Sequence, residues 1–275
     1  MKLNKLVKER YKETKRSSLV VYMILRLLVI ICMILQIIRG DIHNALLCLL
    51  SLVLLFMPFF IQRSLKITLP NTLEIIIFLF IFSAEILGEI QNFYDLIPFW
   101  DSILHTINGF LSAAVGFSLV YLLNSNSKKI SLSPIYLCLV AFCFSMTIGV
   151  LWEFFEYGTD KILKVDMQKD EVLETISSVN FDPENNNNAI LIENIDHTIL
   201  YDKNGNEIVT INDGYLDIGL NDTMKDLLVN FLGAIVFSCL GYFYIISNGS
   251  NKFITHFIPH KGPRKYLKID KEQTK

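Results

Sequence analysis

Pro134-Ile-Tyr-Leu-Cys-Leu-Val-Ala-Phe-Cys-Phe-Ser-Met-Thr-Ile-Gly-Val-Leu-Trp-Glu153-Phe-Phe-Glu156-Tyr157 is the stretch on which the reading of this chain turns. Up to Trp152 it is an almost unbroken apolar run, and it reaches the roughly 20 residues that a helix needs to cross a bilayer. It then ends on two carboxylates one helical turn apart, set among aromatic side chains. Ionisable groups are costly inside a membrane segment and by default mark a functional site. The run therefore predicts both a transmembrane helix and a polar centre near one of its ends.

Working outward, further runs of membrane length lie at 19–38, 42–61, 71–90, 100–123 and 224–246. Pro58 and Pro70 bracket the exit of the second, and Arg26 lies two turns inside the first, from where its long stem can snorkel to the interface. No small-residue cleavage site follows the first run, so it reads as a retained span rather than a signal peptide. The expected fold is an all-α polytopic membrane protein of about six transmembrane helices. A basic tail at 1–18 and spans one to five at 19–157 precede a polar insert at 158–223. Span six at 224–247 and a second basic tail at 248–275 complete the chain.

Composition agrees. Of the 275 residues 52% are hydrophobic and mean hydropathy is +0.43, too apolar for one soluble domain of this length. Charge is sorted along the chain: seven Lys/Arg against two acids in 1–18, the same in 248–275, and thirteen Asp/Glu against four Lys in 158–221. Arg63 with Lys66, and Lys128 with Lys129, share a side with both tails, whereas the loop 91–99 carries no Lys or Arg. The positive-inside rule then places both termini in the cytoplasm and the insert outside. The five cysteines all fall in apolar runs, which argues against a disulfide framework. The basic tails lack interleaved aromatics, so no nucleic-acid partner is expected. The partner is the lipid bilayer, with an outer-leaflet lipid or another envelope molecule as the expected substrate.

The insert predicts a small β-containing element. Ala189–Glu193, His197–Tyr201 and Glu207–Ile211 are β-prone, and Asn204-Gly205 signals a hairpin between the last two. Asp202, Asn204 and Asn206 have the opening spacing of a calcium loop, but Glu207 stands where that loop needs Gly and Asp213 where it needs Glu.

Four spans bring polar groups to one depth. Glu85 and Glu89 end the third, and Asp101 and His105 begin the fourth. Glu153 and Glu156 end the fifth, and Asp222, Asp226 and Asn230 begin the sixth. Their i,i+3 and i,i+4 spacings set each group on a single helix face, and Gly109, Gly116, Gly233 and Gly241 allow close helix contacts in lipid. Carboxylates in a low-dielectric site raise their pKa or acquire a cation. A divalent metal is thus expected: oxygen donors favour Mg²⁺, Ca²⁺ or Mn²⁺, and a His among carboxylates also permits Zn²⁺ or Fe. Glu153, Glu156, Asp226 and His105 are the expected ligands. Asp101 would orient His105 or act as a catalytic base, with Glu85, Glu89, Asp222 and Asn230 in support.

Asp101-x-x-x-His105, Trp152-Glu-Phe-Phe-Glu156 and Asp222-Thr-x-x-Asp226-x-x-x-Asn230-x-x-Gly233 resemble the YjdF-like bacterial inner-membrane proteins, over about Glu85 to Gly241. Asp166-Met-Gln-Lys-Asp170 and Gly214-Tyr-Leu-Asp-Ile-Gly219 look like the branch of that family with a long insert. The order of acidic motifs is also similar, more weakly, to VanZ-like proteins associated with glycopeptide resistance, from which the long insert departs. The first resemblance implies the fold, the residue set and a place in a bacterial cytoplasmic (plasma) membrane, and brings no activity. A metal-dependent envelope enzyme or lipid-modifying factor, a proton- or cation-coupled transporter, and a non-catalytic envelope or antibiotic-response factor all stay open.

Overall fold

A computed structural model of the chain describes residues 2–65, 67–126, 132–247, 254–258 and 260–261. Lys66, Lys128, Lys129 and most of the basic C-terminal tail lie outside the described residues. The helices are α1 (Lys2–Arg39), α2 (Ile42–Leu54), α3 (Met57–Leu65), α4 (Asn71–Phe82), α5 (Phe93–Leu96), α6 (Trp100–Asn126), α7 (Pro134–Leu163) and α8 (Leu220–Ile246). Five stretches are long and apolar enough to cross a membrane: Ser17–Arg39, Ile42–Ser64, Trp100–Tyr121, Pro134–Leu163 and Leu220–Ile246. The chain divides into two compact units, residues 1–149 with 229–275 and residues 150–228.

In the first unit, two helical irregularities depart from the uninterrupted spans expected of the sequence. The second span breaks at Leu55–Phe56, between α2 and α3. Pro58 has no N–H to donate, and its ring collides with the carbonyl of residue 54, where α2 ends. Arg26 of α1 sits against this break: its guanidinium bonds the Tyr22 hydroxyl and lies 4.5 Å from the centroid of the Phe56 ring. In the third span α4 passes into a π-helical stretch, Ser83–Ile90, which carries Glu85 and Glu89. Neither piece is long enough alone, yet 71–90 is helical throughout.

Hydrogen bonds join three distant segments at one end of this unit. Asn71, at the start of α4, takes the Ser18 backbone N–H at 3.1 Å and donates to Ser17 Oγ at 2.7 Å. Strand β1 (Ile67–Thr68) pairs antiparallel with His260–Lys261 near the C-terminus, matching Ile67 to Lys261. The start of the first span, the connection before the third and the segment after the last therefore share one end.

Two apolar clusters hold these helices. One gathers Leu73, Ala113, Ala114, Phe117, Ala141 and Phe237, and the other Tyr22, Val29, Cys48, Leu55 and Phe78. Outward positions are apolar as well, with Ile38, Phe60, Leu123 and Ile135 each at least two-thirds exposed. Large apolar residues facing outward around buried polar ones are what a lipid environment requires.

The second unit contains the insert. Between the ends of α7 and α8 lie strands β2 (Glu171–Leu173), β3 (Ile176–Ser178), β4 (Ile190–Ile192), β5 (His197–Tyr201), β6 (Glu207–Asn212) and β7 (Tyr215–Asp217), with β8 (His260–Lys261) the partner of β1 in the first unit. They form three separate antiparallel pairs, β2 with β7, β3 with β4 and β5 with β6. The β5–β6 hairpin turns at Asn204-Gly205, as expected, with Gly205 at φ +83°. Asp202 accepts the Asn204 and Asn206 backbone N–H groups, which makes this a plain hairpin turn. The β2–β7 pair closes the neck. Asp160 caps the Met167 and Gln168 N–H groups at 2.7 and 2.9 Å, and Asp222 takes the Lys169 N–H at 2.9 Å.

Candidate metal centre

The site is best built up from Asn230, a fully buried side chain of α8. Three helices meet on it. Its backbone carbonyl lies where a Cβ at Gly109 of α6 would be, and its side-chain amide fills the space beside Gly149 of α7. Asn108 Nδ2 donates to Asn230 Oδ1 at 3.4 Å, and Asn230 Nδ2 lies 3.7 Å from Met146 Sδ. Ser145 Oγ donates to the Gly109 carbonyl at 2.7 Å, tying α7 to α6 at the same level. Gly233 continues the α6–α8 contact, its Cα lying against the backbone of Thr106 and Phe110. These small residues bring main chains into direct contact, which is how helices gain packing energy where lipid supplies no hydrophobic drive.

One helical turn is four residues and about 6 Å of rise. Along α6 the turn before Gly109 carries His105, and along α8 the turn before Asn230 carries Asp226. Both are buried, and Asp101 in the first turn of α6 is half-buried. His105 Nε2 lies 3.5 Å from Asp101 Oδ1. Asp101, His105 and Asp226 each offer a ligand atom, and the three atoms lie within 4.8 Å of one another. Two carboxylate oxygens and one imidazole nitrogen form a donor set that suits Mn²⁺, Zn²⁺ or Fe²⁺ and accepts Mg²⁺.

The other expected residues are placed as follows. Glu153 and Glu156 are both buried on α7, while Trp152, Phe154, Phe155 and Tyr157 around them are exposed. Glu156 accepts the Trp152 indole N–H at 2.7 Å. Neither glutamate belongs to the three-residue group. Asp222 is buried and holds the Lys169 N–H. Glu85 is half-buried and Glu89 exposed on the π-helical stretch. Lys225, the cation next to Asp226 in sequence, turns to Glu171 at 4.0 Å, and both side chains are about 40% exposed, so that pair adds little.

Asn108, which the sequence sets with Asp101 and His105 at the start of the fourth span, does reach the site through Asn230; sequence reasoning missed the part played by Gly149 and Ser145. A signal for it exists: Ser145, Gly149 and Glu153 recur at i, i+4 and i+8, a polar and small stripe on an otherwise apolar helix.

Helices of this length, polar inside and apolar outside with small β-hairpins between the last two spans, define a polytopic membrane protein. The chain belongs to the family described as "Predicted membrane protein (DUF2238)", which matches residues 20–247. This is the YjdF-like family whose motifs the sequence resembles; nothing in the match bears on the VanZ-like proteins. An uncharacterized protein of Thermotoga maritima is 31% identical over 108 residues, 39% of this chain and 54% of the relative. The chain thus spans about half the length of that relative. No solved structure matches.

Proposed function

We propose that Asp101, His105 and Asp226 hold a divalent metal ion in the half of the helix bundle nearest the insert, and that the protein acts there on an oxygen-rich envelope molecule such as an outer-leaflet lipid. The observation that carries this reading is the convergence of those three donors within 4.8 Å. Asp101 is the more accessible of the α6 pair, its side chain 25% exposed against 9% for His105, and it is the member a ligand would meet first. Glu153 stands one turn beyond Gly149 on α7, the level that His105 and Asp226 reach from Gly109 and Asn230, and serves as a further carboxylate to the site. A metal bound there would polarise a phosphoryl or acyl oxygen, or lower the pKa of a bound water. His105 and Asp101 orient one another across their 3.5 Å contact. Trp100 Nε1, next to Asp101 in the chain, is a buried donor with no hydrogen-bond partner among the described residues, and it is available to a substrate oxygen.

The topology that accompanies this reading has both termini in the cytoplasm and the insert outside, in the cytoplasmic membrane. It rests on the Lys/Arg distribution and, with residues 71–90 taken as a sixth crossing, on the shared end of Ser18, Asn71 and His260–Lys261.

A second reading, proton or cation translocation, is favoured by one specific feature. Both the break at Leu55–Phe56 and the π-helical stretch around Glu85 put irregular backbone inside spans, and such backbone is tolerated where it lines a cavity or pathway.

The experiment that tests the first reading is metal analysis of the purified full chain after dialysis against Mn²⁺ or Zn²⁺. Near-stoichiometric metal is expected in the wild type, with loss in Asp226→Asn and His105→Ala. A wild type that retains none ends the proposal. Glu85→Gln should leave bound metal unchanged; if it instead abolishes pH-driven flux in liposomes, the second reading stands.

A further inference from the structure

The insert is folded without a core. Both apolar clusters are drawn from outside it, and the fully buried residues between 158 and 221 are Gln168, Asp182, Gly214 and Gly219. Its strands are paired two by two with no third strand in any ladder. A two-stranded ladder is marginal in water and needs a hydrophobic face packed on something to persist. Here Asx turns at Asp182 and Asp202 and the neck at Asp160 supply local order, while the apolar side chains face outward.

Strand β4 is the extreme case. Ile190, Leu191 and Ile192 are all exposed, on both faces of the strand. The strand pairs with β3 along one edge, and its other edge has no paired strand among the described residues. Val179 and Phe181, in the turn after β3, add exposed apolar surface to the same hairpin. Proteins ordinarily blunt such edges by keeping them short or with Lys, Pro or a bulge; β4 is only three residues long, but Ile190-Leu191-Ile192 has no Lys, Pro or bulge. An open, apolar edge is the template for strand addition, in which main-chain hydrogen bonds supply affinity and alternate side chains specificity.

Charge says what the added strand is. Residues 158–221 carry thirteen Asp/Glu and four Lys, a formal charge of −9, with Glu174, Glu184 and Glu193 near the β3–β4 hairpin. A second copy of the insert brings the same charge and is repelled, as is an anionic lipid surface. We propose that the β4 edge is a docking site for an extended, cationic polypeptide segment on the insert's side of the membrane, which adds as a third strand and covers Ile190–Ile192.

The test uses the full chain in nanodiscs and a short fluorescein-labelled peptide alternating Lys and Val, read by anisotropy. Three comparisons separate strand addition from simple charge attraction. A Glu/Val peptide should not bind. The Lys/Val peptide N-methylated at alternate residues keeps its charge but loses strand hydrogen bonds, and should bind about tenfold more weakly or worse. Leu191→Lys, which places a gatekeeper charge on an already exposed position, should weaken binding to a similar degree. The backbone amides of 190–192 that point away from β3 should gain hydrogen-exchange protection only with the peptide present. Equal affinity for the N-methylated peptide, indifference to Leu191→Lys, or strong protection of those amides in the free protein overturns the proposal. So does self-association of the full chain that Leu191→Lys abolishes, because the occupant is then a second copy.

Discussion

Gly233→Ala probes the helix contact beside the proposed metal centre. A Cβ at this position would lie 2.9 Å from Phe110 N and 3.1 Å from the Thr106 carbonyl carbon, with the Thr106 oxygen nearer still. All three obstacles are main-chain atoms in the middle of α6, so no side-chain rotation relieves them. Helices α6 and α8 must part. Overpacking of a core costs about 1–3 kcal/mol, and a backbone-to-backbone clash belongs in the upper half of that range. Gly158→Ala is the control: nothing lies within 4 Å of its Cβ position, and replacing a helical glycine there should stabilise by about 0.5–1 kcal/mol. Unfolding in mixed micelles of rising SDS fraction reads both variants against the wild type. Gly233 is two turns from Asp226 on the same helix, so parting α6 from α8 should also weaken metal retention by about tenfold, the size of effect that supporting residues commonly have on metal sites. A Gly233→Ala protein as stable as the wild type, with metal retained, would refute the claim that this close approach sets the donor geometry.

Two further outcomes are expected. Arg26→Gln removes a guanidinium that sits over Phe56 at the break in the second span, and should lower stability by about 0.5–2 kcal/mol in the same SDS assay; Arg26→Lys should recover only part of it, since the ammonium lacks the planar face. In the insert, the backbone N–H groups of Asn188, Glu184 and Asn186 hold the Asp182 carboxyl below its usual range. A lowered folded pKa means that the carboxylate's contribution is complete above the unfolded value and is lost as pH falls through the folded one. NMR titration should therefore show the amides of Glu184, Asn186 and Asn188 moving together on acidification, and Asp182→Asn should remove that transition; amides that do not respond above the unfolding pH would contradict the turn's role.

Much of this architecture is legible in the chain because membrane thickness makes length and apolarity diagnostic. Residues 134–157 need no partner to be read as a span, and Glu153 with Glu156 can be put on one face by spacing alone. Asn204-Gly205 likewise signals its hairpin through local turn chemistry. What the chain does not display is anything decided by register between distant segments. The β2–β7 and β3–β4 ladders join residues far apart in sequence, and their strands are three residues long, too short for an alternation to show. The π-helical stretch Ser83–Ile90 contains no proline or other local marker that would distinguish it from α-helix. Lys225 illustrates the same limit: sequence sets it beside Asp226, and the folded chain turns it to Glu171.

Asn230 connects the fold to the chemistry. A buried amide in a membrane helix must find partners there, and this one meets Asn108, Met146 and the space left by Gly149. Each of the three helices is thereby registered against the other two at a single point, and α6 and α8 carry His105 and Asp226 one turn away from it. Helical geometry then limits the relative movement of those groups to what the glycine contacts permit. A carboxylate-rich centre in a low-dielectric setting is unstable unless its donors are held where one cation satisfies several of them at once. The glycine and asparagine packing below the acids supplies that constraint, which is why its disturbance at Gly233, two turns from Asp226, is expected to register as lost metal as well as lost stability.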